Sequence, residues 1–178
     1  MMTHTINSVT LALLHDNIVE VEADAIVNAA NAALAGGGGV DGAIHRAGGL
    51  SIMQECRKIG GCPTGSAVAT SAGLLKARYV FHAVGPMYRH DAEAERLLAS
   101  AYQACLDLAE QYQIASIAFP SLSTGAYGYP VTLAAPIALH TIIEHVKQPT
   151  SLQRVVFVLF DAKTYATYEK ALRKATEP

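Results

Sequence analysis

The stretch Asp24-Ala-Ile-Val-Asn-Ala-Ala-Asn-Ala-Ala-Leu-Ala-Gly-Gly-Gly-Gly-Val-Asp-Gly-Ala-Ile-His-Arg46 decides how the chain is read. A short apolar run, Ala25 to Asn28, has the length and β-branched content of a buried strand. Four glycines then remove every side chain from the main chain, and a helical pattern begins near Asp41. A strand, a glycine tract and a helix in that order form one unit of an α/β sheet. The connection after the strand is where such sheets bind ligands, because first-turn amides have no partner within the helix.

Working outward, further short apolar runs alternate with longer stretches of helical period. Strands are expected at Val9 to Leu14, Ala67 to Thr70, Tyr79 to Val84, Ser116 to Pro120 and Arg154 to Phe160. The clearest helix runs from Ala92 to Tyr112, with Leu97, Leu98, Ala101, Cys105, Leu108 and Ala109 returning on one face. Others are expected from Asp41 to about Ala47, Val131 to Val146 and Thr164 to Ala175. The fold class is α/β, a sheet covered on both faces by helices. With 178 residues and 51% hydrophobic content, one core and a single domain over 1–178 are expected.

A second loop repeats the logic of the first. Ser121-Leu-Ser-Thr-Gly-Ala-Tyr-Gly-Tyr-Pro130 also follows a strand and leads into a helix, whose first turn suits Pro130. Glycines can turn successive N–H groups toward one anion, and two such cradles suit a diphosphate. No Lys or Arg precedes Arg46, and only Lys147 lies between Ala115 and Gln153. The anion would therefore be held by backbone amides and helix N-termini rather than by cations. The pattern G-x-x-x-x-G-K-[ST] is absent and the glycine tract does not spell G-x-G-x-x-G, which disfavours γ-phosphate transfer and nicotinamide-dependent oxidation.

Polar residues gather around these loops. Asn28, nearest the strand, is assigned to structure, satisfying loop backbone groups. Asn31 is the better ligand contact, since an amide matches a sugar hydroxyl or an attacking water. Asp41 has two open readings, a helix N-cap accepting the amides of Gly42 to Ile44, or a group that polarises water. His45 and His82 lie in apolar surroundings and read as satisfied core or turn residues. Cys56, Cys62 and Cys105 lack paired spacing and read as reduced thiols packed as small hydrophobes, so no metal site is expected.

A net charge of −2 and a pI near 6.4 give no basic field for nucleic acid or anionic membrane. The first residues lack a leader pattern, and no apolar run reaches the roughly 20 residues that span a bilayer. A cytoplasmic protein is expected.

The residues together are recognisable. Asp24 to Asn31 and Gly36 to Arg46 resemble the hallmark stretch of MacroD-type macrodomains. The likeness continues through Cys62-Pro-Thr-Gly65, Tyr79-Val-Phe-His-Ala-Val-Gly-Pro86 and Phe119 to Pro130, and covers nearly the whole chain. It implies a three-layer α/β/α fold around a mixed sheet, with ADP-ribose between the two loops. By position, Asn31 and Asp41 resemble the residues that orient the distal ribose and activate water. Gly37, Gly38, Gly39 and Val40 match the first phosphate loop, and Ser123, Thr124, Gly125, Ala126 and Tyr127 the second. Tyr127 falls near the distal ribose and Phe160 at the aromatic that flanks adenine.

One departure stands out. Relatives commonly read Gly-Asp-Ile before the second strand, where this chain has Asp16-Asn17-Ile18, so Asn17, beside Ile18, occupies the adenine-reading position, with Asp16 as the alternative. Leu50 in place of Pro and Ala126 in place of a larger aliphatic are milder changes. The resemblance implies hydrolysis of ADP-ribose from acidic side chains of mono-ADP-ribosylated proteins, deacetylation of O-acetyl-ADP-ribose, or both, with no cofactor and no required metal. A non-catalytic ADP-ribose reader is the chief rival, and an RNA-associated regulatory protein a more distant one.

Overall fold

The computed structural model describes residues 1–177, with Pro178 outside the described residues. Seven strands form one sheet: β1 (Met2–Ile6), β2 (Val9–His15), β3 (Ala25–Ala29), β4 (Ala67–Ser71), β5 (Tyr79–Ala83), β6 (Ser116–Phe119) and β7 (Arg154–Leu159). Their spatial order is β1-β2-β7-β6-β3-β5-β4. The central five are parallel, and the edge strands β1 and β4 pair antiparallel to their neighbours, so the sheet is mixed.

Helices cover both faces, as the α/β reading requires. Helices α3 (Ala92–Gln111), α4 (Val131–Val146) and α5 (Ala162–Thr176) pack on one face, with Leu98, Tyr102, Leu139, Phe157 and Tyr168 in a common core. Helices α1 (Gly39–Gly48) and α2 (Leu50–Ile59) pack on the other with Ile26, Ile44, Ile52 and Val80. The period of two sorts β3: Ala25 and Val27 enter the first core while Ile26 enters the second. No described helix is long and apolar enough to cross a membrane.

Besides a short 3-10 turn at Ile18–Glu20, the structure adds one strand and one helix to those expected from the sequence. Strand β1 is half-buried at Met2, His4 and Ile6 and exposed between them, and the polar His4 interrupts its apolar alternation. Helix α2 buries only Ile52 and Cys56 fully, one turn apart, so its apolar stripe is too narrow to stand out among charged neighbours. Helix α1 begins two residues before the expected Asp41, with Gly38 as its N-cap, and Pro130 is the N-cap of α4 rather than part of its first turn.

Topology places the site. Strands β3 and β6 lie side by side, yet the chain leaves β3 through α1 and α2 toward β4 and leaves β6 through α4 toward β7, on the other face. Their outgoing loops therefore diverge and open a crevice between them. The second loop is braced from beneath: the buried Tyr102 hydroxyl accepts from Leu122 N at 2.9 Å, and Tyr168 donates to Ser121 Oγ at 2.9 Å. Tyr102→Phe leaves the Leu122 amide buried without a partner. We expect a loss of about 1–2 kcal/mol in denaturant unfolding, and an unchanged midpoint would show that the loop does not depend on this brace.

Candidate functional site

The two glycine loops face each other across a cleft holding about 410 Å³ of space. Asn31, Gly37, Gly38, Gly39, Val40 and Asp41 form one wall, and Ser123, Gly125, Ala126 and Tyr127 the other. Among the described residues, no lysine or arginine lines it. Added side chains at Gly38, Gly39 and Gly125 would meet nothing within 4 Å, because these backbone positions open onto the cleft. Gly39 sits at φ +55° and the non-glycine Ser123 at φ +64°, so both loops use left-handed backbone to aim their amides.

Asn31 lines the cleft while its amide braces the first loop, donating to Gly36 O at 2.9 Å and accepting from Ala35 N at 3.0 Å. Thr124 turns away, donating to Ser121 Oγ at 2.8 Å, which tightens the turn of the second loop. Ser123 is buried and its hydroxyl has no partner among the described residues. Gly85, in the Gly-Pro step after β5, also lines the cleft, and a Cβ there would fall 2.2 Å from Ser123 Oγ. Gly85 is a cleft residue to which the sequence alone assigns no role, its one signal being a glycine two residues past the buried strand β5.

The residues expected on the adenine side, Asn17, Ile18 and Phe160, lie apart from this cleft, along the same edge of the sheet. Asn17 and Ile18 follow β2, Phe160 follows β7, and those strands pair in parallel. Asn17 caps a single 3-10 turn, accepting from Val19 N at 3.2 Å, while Asp16 Oδ1 accepts from Asn17 N at 2.7 Å. Ile18 is buried in the α1/α2 core, whereas Phe160 is 75% exposed.

Asp41 is not an N-cap. The helix starts earlier, and the carboxylate serves side chains instead: Oδ1 accepts from Asn28 Nδ2 at 2.8 Å and lies 3.2 Å from His45 Nε2. Oδ2 takes none of these contacts and stands beside the glycine loop, 3.5 Å from where a Gly37 side chain would begin. The residue is 6% exposed, so one oxygen is anchored and the other is sheltered at the cleft wall.

Asn28 is structural, as expected, but serves side chains rather than loop backbone. Register places it opposite His82 on the α1/α2 face of the sheet. Its second amide hydrogen goes to His82 Nδ1 at 3.1 Å, which leaves the proton of that ring on Nε2, donating to Thr70 Oγ1 at 2.8 Å; Thr70 in turn donates to Ser71 O. A chain of hydrogen bonds thus runs from the β4 backbone to the Asp41 carboxylate. Burial, helped by nearby His45, lowers the His82 pKa to about 4, so the ring stays neutral as the chain requires.

His45, Cys56 and His82 also bring donor atoms within 4.8 Å of one another. Both His82 nitrogens already have partners, and burial, reinforced by Asp41 and Glu55, pushes the Cys56 thiol up to about 11. The histidine reading thus holds for His82, while His45 keeps a buried Nδ1 without a partner among the described residues.

Residues 27–138 match the Macro domain family. A Macro domain-containing protein of Caldanaerobacter subterraneus is 54% identical over 90% of this chain and 94% of its own length. O-acetyl-ADP-ribose deacetylase 1 of Pantoea vagans is 48% identical over 91% of this chain and 98% of its own length. The Oceanobacillus iheyensis macrodomain with ADP superposes with a TM-score of 0.94 at 40% identity, over 98% of this chain and 95% of that one. The Trypanosoma brucei macrodomain in complex with ADP-ribose gives 0.86 at 40% identity, over 91% of this chain and 68% of that one.

The lowered His82 pKa carries a sign. Below the ordinary value of 6.5 the unfolded chain takes up a proton that the folded chain refuses, so stability falls as pH drops from 6.5 toward about 4 and levels off below that. The slope approaches ~1.4 kcal/mol per pH unit at most. In urea unfolding at about pH 7 and pH 5, His82→Gln should lose less stability on acidification than the wild type. Parallel losses in the two proteins would remove His82 as the cause.

Proposed function

Because the chain belongs to the Macro domain family, we propose that it binds ADP-ribose in the cleft and is a hydrolase, removing mono-ADP-ribose from acidic side chains, deacetylating O-acetyl-ADP-ribose, or both. The carrying observation is Asp41, with Oδ1 anchored by Asn28 and Oδ2 free of that contact at the cleft wall. Supporting it are relatives of the same fold solved with ADP and with ADP-ribose, and a relative named as a deacetylase. The diphosphate spans the amides of the first loop and those of the second, and the distal ribose meets Asn31, Asp41 and Tyr127.

Hydrolysis then needs one proton moved and one charge stabilised. Oδ2 of Asp41 takes a proton from a bound water as its oxygen forms the new bond to the ester carbon, and the loop amides stabilise the developing oxyanion. The C–O bond to the ribose breaks, the ribose oxygen regains the proton, and the products are ADP-ribose and a carboxylic acid. The same water can attack C1″ instead, and the label from oxygen-18 water, found in the acid or in the ribose, tells the two apart. The anchored carboxylate is ready without rearrangement, which is the advantage of a preorganised base.

We expect Asp41→Asn to reduce turnover of both substrates by roughly a hundredfold to ten-thousandfold, with ADP-ribose affinity and melting temperature near wild type. Normal turnover in a folded, binding-competent variant would remove Asp41 from the chemistry. A wild type that binds ADP-ribose but turns over neither substrate would instead be a reader.

Because no cationic side chain lines the cleft among the described residues, ADP-ribose affinity should vary by no more than about twofold as ionic strength rises from about 0.05 to 0.5 M. Calorimetry checks this, and a steep loss would show that lysine or arginine side chains hold the diphosphate.

A further inference from the structure

A second depression, of about 330 Å³, shares Gly85 and Tyr127 with the cleft and extends to Thr64, Met87, Arg89 and Leu97. Its place relative to the chemistry is fixed by backbone hydrogen bonds. Tyr88 N donates to Tyr127 O at 2.9 Å, tying the loop after β5 to the second glycine loop. Ala32, directly after Asn31, also lines it. The depression therefore begins where the Asn31 and Tyr127 end of the cleft finishes, the end at which the scissile bond lies under the hydrolase reading.

Its size and charge describe an occupant. An acetyl group is little larger than one or two waters, each about 30 Å³ in the liquid, and would leave most of the space empty. A side chain with flanking backbone fills it. Of the charged groups on its rim, Asp91 caps α3 by accepting from Ala94 N at 2.9 Å, and Glu93 pairs with Arg96 Nε at 3.0 Å. Arg89 makes no ion pair among the described residues. The charge on the rim without an ion-pair or capping partner among the described residues is thus a guanidinium, in a depression also lined by the apolar Met87 and Leu97.

We propose that this depression receives the polypeptide side of the substrate, a segment bearing the ADP-ribosylated acidic residue, with Arg89 pairing to a neighbouring carboxylate of that segment. The proposal rests on the hydrolase reading and sharpens it: the depression selects an acidic peptide ester over a bare acetyl ester.

The test compares a peptide carrying one ADP-ribosylated glutamate with acidic flanks, the same peptide with lysine flanks, and O-acetyl-ADP-ribose. Each is assayed with the wild type, Arg89→Ala and Arg89→Glu. Reversing an exposed charge should raise KM for the acidic peptide by about tenfold and lower it for the lysine-flanked one. KM for O-acetyl-ADP-ribose and affinity for free ADP-ribose should stay within about twofold. A KM change common to all three substrates, or none for either peptide, overturns the peptide site while leaving the hydrolase reading intact. A wild type that fails to bind free ADP-ribose overturns both.

Discussion

A single hydrogen bond, from Asn28 Nδ2 to Asp41 Oδ1, joins the central sheet to the first turn of a helix and fixes the arrangement of the site. Asp41 lies on the short α1, which starts on glycines that alone would hold no carboxylate in place. The sheet supplies the rigidity. Asn28 is fully buried in the strand, its orientation is set by His82, and His82 is set by Thr70 on the next strand. The cost is visible in Asn28 Oδ1, buried without a partner among the described residues, since turning the amide over would set that oxygen against the carboxylate.

Anchoring one oxygen and leaving the other clear is what separates this carboxylate from an ordinary surface acid. Among the described residues the cleft is lined by no cation, and backbone amides can bind a diphosphate without a lysine that would pair with Asp41 and divert it. In the proposed hydrolysis the two glycine loops and the buried polar chain would work together, the loops holding the anionic ligand and the chain keeping a base ready beside it.

Much of this was legible in the sequence. The seven-residue β2 and the β7 run, apolar from Val155 to Leu159, announce themselves by composition, and the glycine loops by the absence of side chains where a strand gives way to a helix. Asn28 was seen, but its partners were not, because Asn28 and His82 meet only through strand register, which a single sequence does not display. The cap reading of Asp41 failed for a local reason: glycines can themselves begin a helix, so α1 starts at Gly39 and carries Asp41 inside its first turn. Strand β1 and helix α2 do not stand out in the sequence because each buries too narrow an apolar face. The depression beyond Tyr127 is likewise assembled from distant segments, residues 32, 64 and 84–97, that no spacing relates.

In the proposed complex the two glycine loops jointly hold a diphosphate beside an anchored carboxylate. Amide NMR during titration with ADP-ribose measures it most directly. The N–H signals of Gly37, Gly38, Gly39 and Val40 are expected to shift together with those of Gly125, Ala126 and Tyr127, and the Asn28 side-chain amide to respond with them. Shifts confined to one loop, or gathered instead around Lys76, Arg78 and Arg154 at the opposite edge of the sheet, would contradict it.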